Sequence, residues 1–267
     1  MRKVLLAAAT MLLVLAPAAY AAPRTDCQPQ ALRDLQRLSP HGYVIYEAMK
    51  DKKQFLTFLT CDDVQLGLAT AVHESVHILT EEKDGYPLID GGIARRSQEV
   101  ARYFAPKEIA KRFDRSDMFV QTYLRPGAAS SADNFTFLLD ELNAYSHDLN
   151  SAVKLVPLHK GDGQVSHRDG LAALMSFVMG YVDAARQQNS ATWQGLQRPE
   201  PRKLVQTLWA QAETVLASSC GIPRFGSRDR QYVGFICARQ NGDALADVLG
   251  RAPVCPSACL GGTASLP

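Results

Sequence analysis

Two histidines separated by three residues, with a carboxylate directly after the first, stand in the stretch Thr70-Ala71-Val72-His73-Glu74-Ser75-Val76-His77-Ile78-Leu79. On an α-helix His73 and His77 project from one face about one turn apart, and Glu74 is turned away by about 100°. That pattern suits a zinc ion: both imidazoles bind it, while the carboxylate reaches a water beside the ion without ligating the ion itself. The surroundings sharpen the reading. From Val64 to Thr80 the only ionisable side chains are His73, Glu74 and His77. Three titratable groups thus sit on an otherwise uncharged, largely apolar helix, where burial penalises them unless something engages them. The competing reading, a buried helix with neutral, hydrogen-bonded histidines, leaves the spacing to chance. Two histidines alone make a poor zinc site, because catalytic zinc usually takes three protein ligands and keeps a fourth position open.

The same stretch resembles the signature of the zincin metallopeptidases. Thr70 stands three residues before the first histidine, uncharged Ser75 and Val76 lie inside the motif, and the apolar pair Ile78 and Leu79 follows it. Metzincins add a glycine three residues and a histidine six residues after the second motif histidine; here those positions are Thr80 and Lys83, which excludes that branch. The thermolysin- and neprilysin-like gluzincins take their third ligand from a Glu on a downstream helix. Glu141, in Asp140-Glu141-Leu142-Asn143-Ala144-Tyr145, resembles that Glu. The resemblance implies Zn2+ held by His73, His77 and Glu141, with Glu74 as general base in the hydrolysis of peptide bonds. The chain departs from the pattern four residues after Glu141, where Tyr145 stands in place of an Asp that orients a zinc histidine. Asp148, two turns after Glu141, is the candidate replacement. Asp140, His147, Asp148, His159 and His167 are the alternatives to Glu141 as third ligand. Tyr145 reads either as a core aromatic or, one turn from a ligand, as a hydroxyl that meets bound water or a substrate oxyanion. His167 reads as a surface histidine, in competition with a transition-state role like that of the second-lobe histidine in thermolysin-like enzymes.

The elements that must hold these groups follow from periodicity. Apolar residues at three- and four-residue steps predict helices over 28–38 and 43–50, broken by Ser39-Pro40-His41-Gly42. Residues 53–60 fit strand or helix, and Asp62 is the expected cap of the zinc helix. Tyr86-Pro87-Leu88-Ile89, between Lys83-Asp84-Gly85 and Asp90-Gly91-Gly92, fits an irregular hairpin, an active-site loop or a plain connector. Residues 97–104 and 106–113 read as helices and 118–124 as β-leaning. Pro126 to Ser131 is the clearest linker. A long helix from Asp133 to about Val156 carries Glu141 and a stripe of Leu138, Leu142, Tyr145, Leu149 and Ala152. After the polar loop 158–163, helices are expected from Ser166 or Asp169 to about Gln188, and from Pro199 or Pro201 to Ser218.

Met1 to Ala21 has basic Arg2 and Lys3, an apolar run from Val4 to Ala16, and small residues Ala19 and Ala21, the pattern of a cleaved secretory signal. The apolar run is shorter than the ~20 residues that span a bilayer, so no stable membrane insertion is expected. Arg24-Thr25-Asp26 before Cys27 does not suit lipidation. Without the signal, 27 basic residues balance 27 acidic ones. That neutrality, with no long basic run, asks for neither nucleic acid nor an anionic surface as partner. All six cysteines lie after the signal. An even number in an oxidising compartment predicts three disulfides. Cys27 with Cys61 would staple the first helices to the start of the zinc helix, leaving Cys220, Cys237, Cys255 and Cys259 to pair in a Gly- and Pro-rich tail. The competing reading of those four as a second zinc site lacks a C-x-x-C pair.

The expected fold is mostly α (α+β) and zincin-like. It comprises a signal at 1–21 and a catalytic domain at 22–267 with lobes at 22–125 and 132–267, the tail from 219 onward held by disulfides in place of a core. The metal helix belongs to the first lobe and Glu141 to a helix of the second, with the cleft between. The expected function is a secreted or periplasmic zinc metallopeptidase acting on a peptide or protein substrate. A zinc amidase on cell-wall or other non-protein amides, and a non-catalytic zincin-like binding protein, are the alternatives.

Overall fold

The computed structural model describes residues 26–127, 132–160 and 165–261. The expected signal at 1–21, residues 128–131 of the expected linker and 161–163 of the polar loop lie outside them. Three short helices, α1 (Gln28–Leu38), α2 (Pro40–Ala48) and α3 (Lys52–Phe58), lead into α4 (Val64–Lys83). Each start is chemically marked. Ser39 accepts a bond from Gly42 N ahead of Pro40, which fits the first turn of α2. Asp51 accepts from Lys53 N at the head of α3. The cap of α4 is Asp63, accepting from Leu66 N at 3.0 Å, and not Asp62. At its far end α4 stops at Asp84, whose φ of 46° is left-handed, a conformation that Asp tolerates better than most residues.

The chain then turns back as a hairpin, β1 (Gly85–Pro87) against β2 (Ile93–Arg95), antiparallel with Tyr86 opposite Ala94. It is the only strand pairing among the described residues. The helices expected at 97–104 and 106–113 are tighter 3-10 helices, Val100–Arg102 and Pro106–Arg112. The β-leaning segment at 118–124 is in fact α5 (Met118–Tyr123). Its strand-favouring residues are overridden because Asp117 caps the turn at Phe119 N and the helix buries Phe119 and Val120 on one side.

Next come α6 (Phe135–Lys154), α7 (His167–Gln188), the unanticipated α8 (Ser190–Leu196) and α9 (Pro199–Ser219). The tail is not loop-rich. It forms α10 (Asp229–Cys237) and α11 (Arg239–Leu249), whose Tyr232, Val233, Ile236, Ala244, Leu245 and Val248 are buried in the main core. Apolar residues at helical spacing outweigh the Gly and Pro content that pointed to a loop. Disulfides join Cys27 to Cys61, Cys220 to Cys259 and Cys237 to Cys255. The first pairing and the confinement of the other four to the tail agree with expectation, and the second zinc site is ruled out. No described helix is long and apolar enough to cross a membrane.

Two cores meet along α4 and α6. Leu68, Val72 and Val76 of α4 join Leu35, Ile45 and Phe55 in a small core that also takes Ala144 and Leu155. Ala69 of α4 and Leu138, Leu142 and Leu149 of α6 join a larger one with α7, α9, α10 and α11. The segment from Tyr86 to Leu124 packs on the larger core. The fold is mostly helical, with α4 and α6 as its shared spine.

Candidate metal centre

α4 and α6 pack antiparallel, so residues met in ascending order on one are met in descending order on the other. Gln65 donates to Ala152 O at 3.3 Å, and farther along His77 meets Asp140. This register brings the motif histidines opposite Glu141. His73 Nε2 and His77 Nε2 are 3.2 Å apart, and Glu141 Oε2 lies 3.7 Å from the first and 3.6 Å from the second. A tetrahedral zinc with bonds of about 2.0–2.1 Å needs ligand atoms roughly 3.3–3.4 Å apart. The three atoms therefore form, within a few tenths of an ångström, one face of such a tetrahedron. His73 and Glu141 are buried and His77 is half-buried. Among the described residues no other group of His, Cys, Asp or Glu gathers at metal-binding distances.

The groups behind the ligands differ from the sequence expectation. His77 Nδ1 donates to Asp140 Oδ2 at 2.6 Å, which turns Nε2 toward the centre. Asp140 was a candidate ligand; it serves as an orienting carboxylate. Asp148 faces His73, but its Oδ2 stands 3.9 Å from Nδ1, beyond hydrogen-bond range. Its other oxygen accepts from His167 Nδ1 at 2.5 Å. His167 is not a surface histidine. It is 3% exposed, at the head of α7, and its Nε2 is buried without a hydrogen-bond partner. His147 points away from the centre: its Nε2 donates to Pro87 O at 2.9 Å and its Nδ1 accepts from His41 Nε2 at 3.0 Å, tying the hairpin to α6 and α2. Burial, then the neighbouring His41, pushes its pKa down to about 3. His159 is likewise outside the metal-binding group.

The two motif imidazoles are shifted in opposite directions. Burial, reinforced by the adjacent His77, lowers the pKa of His73. Burial is also the largest single influence on His77, but hydrogen bonds to Asp140 and Glu141 together outweigh it and raise that ring to about 10.

A cavity of about 200 Å³ opens beside His73, and Glu74, Tyr145, Tyr123, Asp148 and His167 line it. Glu74 thus sits at the cavity without belonging to the ligand group. Tyr145 packs its ring edge-on to His73, centroids 4.6 Å apart, and its hydroxyl lies 2.7 Å from that of Tyr123. Burial pushes both phenols above their ordinary range. Tyr123 was not singled out in the sequence, because nothing in a segment read as strand tied it to the zinc motif. A larger cavity, about 560 Å³, lies between the hairpin tip and α9. Its only ionisable lining groups are Asp90 and Lys154.

Comparison with family models, with curated proteins and with solved structures returns no match. What the centre can do is therefore read from its own geometry: two imidazoles and a carboxylate can hold one metal ion, beside a cavity with a carboxylate, two phenols and a buried imidazole.

Proposed function

We propose that this chain is an exported, zinc-dependent hydrolase of peptide bonds, zincin-like in its chemistry and gluzincin-like in its ligand set of His73, His77 and Glu141. The triangle of His73 Nε2, His77 Nε2 and Glu141 Oε2, with edges of 3.2 to 3.7 Å, carries the reading. Two imidazoles and one carboxylate in a tetrahedral half-shell suit zinc better than the harder, all-oxygen-seeking cations. Zinc bound there supplies a Lewis acid that polarises a carbonyl and makes water nucleophilic near neutral pH. Glu74 is the base that takes the proton of the attacking water and passes it to the leaving nitrogen. Tyr145 donates a hydrogen bond to the carbonyl oxygen as it gains charge. Asp148 Oδ1 holds His167 Nδ1 and so fixes that imidazole as a second polar group on the same wall.

The neutral charge balance does not call for a nucleic-acid partner, and the proposed zinc chemistry suits the amide bond of a peptide or protein substrate. Three disulfides belong to an oxidising compartment. Together with the signal-like residues 1–21, they support a secreted or periplasmic location. Amides of cell-wall peptides present the same bond to the same residues. The non-catalytic alternative leaves Glu74 without a task. A panel of protein and cell-wall peptides, assayed with the unmodified chain and with Glu74→Gln, separates these readings. Turnover should fall by roughly 10² or more in the variant while zinc is retained. Cleavage confined to cell-wall amides moves the activity to an amidase, and equal turnover in both proteins rejects the mechanism.

A further inference from the structure

The phenol pair at the cavity holds more than one hydroxyl needs. Tyr123 comes from α5 and Tyr145 from α6, yet their oxygens meet at 2.7 Å. Each phenol carries one proton at neutral pH and can both donate and accept. One proton lies between the two oxygens, so the pair keeps a single free O–H, and the cavity is where both side chains are lined up. The placement of Tyr145 is over-determined. Its ring rests on His73, and α7 comes so close that a methyl group at Gly170 would stand 2.1 Å from its Cε1. Tyr123 is set by Asp117, which caps α5, and by Phe119 one turn before it, stacked with ring centroids 6.4 Å apart.

We infer that Tyr123 is a positioning residue for Tyr145: it donates its own proton to Tyr145 Oη and so leaves the Tyr145 O–H as the free donor aimed into the cavity. The order follows from location, since Tyr145 is the phenol in contact with a ligand imidazole and one turn from Glu141. A donor that is itself accepting a hydrogen bond is also the stronger donor. A tetrahedral oxyanion in the cavity would then be met by one aligned hydroxyl in place of a freely rotating one. This rests on the hydrolase reading above for its catalytic consequence, but the hydrogen-bond order is testable without turnover.

The experiment is a double-mutant cycle of Tyr123→Phe, Tyr145→Phe and the double variant, all zinc-loaded. Calorimetric binding of inorganic phosphate, a tetrahedral oxyanion, is the first readout. Tyr145→Phe should weaken phosphate about tenfold or more and Tyr123→Phe by a smaller factor, with the double variant no weaker than Tyr145→Phe. In turnover, the same order should appear in kcat with KM little changed, because the bond matures only as charge develops. A larger loss in Tyr123→Phe than in Tyr145→Phe reverses the order and overturns the inference. Additive losses overturn it too, as they make the two hydroxyls independent. Equal phosphate affinity in all four proteins, or none in the unmodified one, also overturns it. If phosphate follows the cycle while no peptide or amide is cleaved, the hydrogen-bond order stands and the hydrolase reading falls.

Discussion

Asp140 Oδ2 holds His77 Nδ1 at 2.6 Å, and the next residue, Glu141, places Oε2 3.6 Å from the opposite nitrogen of the same ring. Two consecutive carboxylates of α6 therefore grip one imidazole from both sides, one orienting it and the other facing its Nε2. Asp140→Ala should leave all three ligands in place yet weaken zinc roughly 10- to 100-fold, as read by chelator competition. Unchanged affinity would assign the orientation of His77 to helix packing alone.

The opposite titration of the two rings sets a pH dependence. His77 is raised to about 10 in the metal-free chain, so zinc must displace a proton from it throughout the neutral range. Apparent zinc affinity should climb with pH, by about tenfold per unit below 10. Stability of the metal-free protein should move the other way. A folded-state pKa above the unfolded value contributes fully below the ordinary imidazole pKa of about 6.5, and that contribution is lost as pH rises through about 10. His41, His73 and His147 are lowered instead, so they gain stability as pH rises from about 6.5 and oppose the effect only at the low end of this window. Urea unfolding of the chelator-treated protein at pH 6.5 and 9.5 checks the sign; equal or greater stability at the higher pH contradicts it.

Gly170→Ala probes the seat of Tyr145 from outside the centre. With Cε1 2.1 Å and Cδ1 2.4 Å from the added methyl, the ring must shift, at a cost of about 1–3 kcal/mol. Stability should fall by that amount and phosphate binding should weaken as in Tyr145→Phe, with zinc content unchanged. Retained phosphate affinity would show that the hydroxyl tolerates displacement.

The disulfide between Cys27 and Cys61 closes a loop spanning 34 residues that holds α1 to α3 against α4. Replacing both cysteines with Ala should cost about 2–4 kcal/mol in denaturant unfolding. The tail disulfides should matter less than its Gly and Pro content implies, because α10 and α11 carry their own buried face.

The motif helix α4 was legible because spacing and charge depletion fall within one local stretch, although its cap is Asp63 and not the expected Asp62. Glu141 was reached only through resemblance to the gluzincin pattern, and the antiparallel register of α4 on α6 places it at the histidines. Asp140 lay beside it in the sequence, but its bond to His77 spans 63 residues and depends on that register, which periodicity does not encode. His167 and Tyr123 were misjudged or missed for the same reason: their partners, Asp148 and Tyr145, lie on another helix. The helical tail and α5 were obscured by composition, since propensity is a weaker influence than a buried apolar face.

Metal analysis of the purified chain, beside His73→Ala/His77→Ala and Glu141→Ala, tests the central claim most directly. One zinc per chain is expected in the unmodified protein, essentially none in the double variant, and a lowered affinity in Glu141→Ala that excess zinc partly restores. A double variant that keeps stoichiometric zinc, or a Glu141→Ala chain that binds as tightly as the unmodified one, contradicts the account.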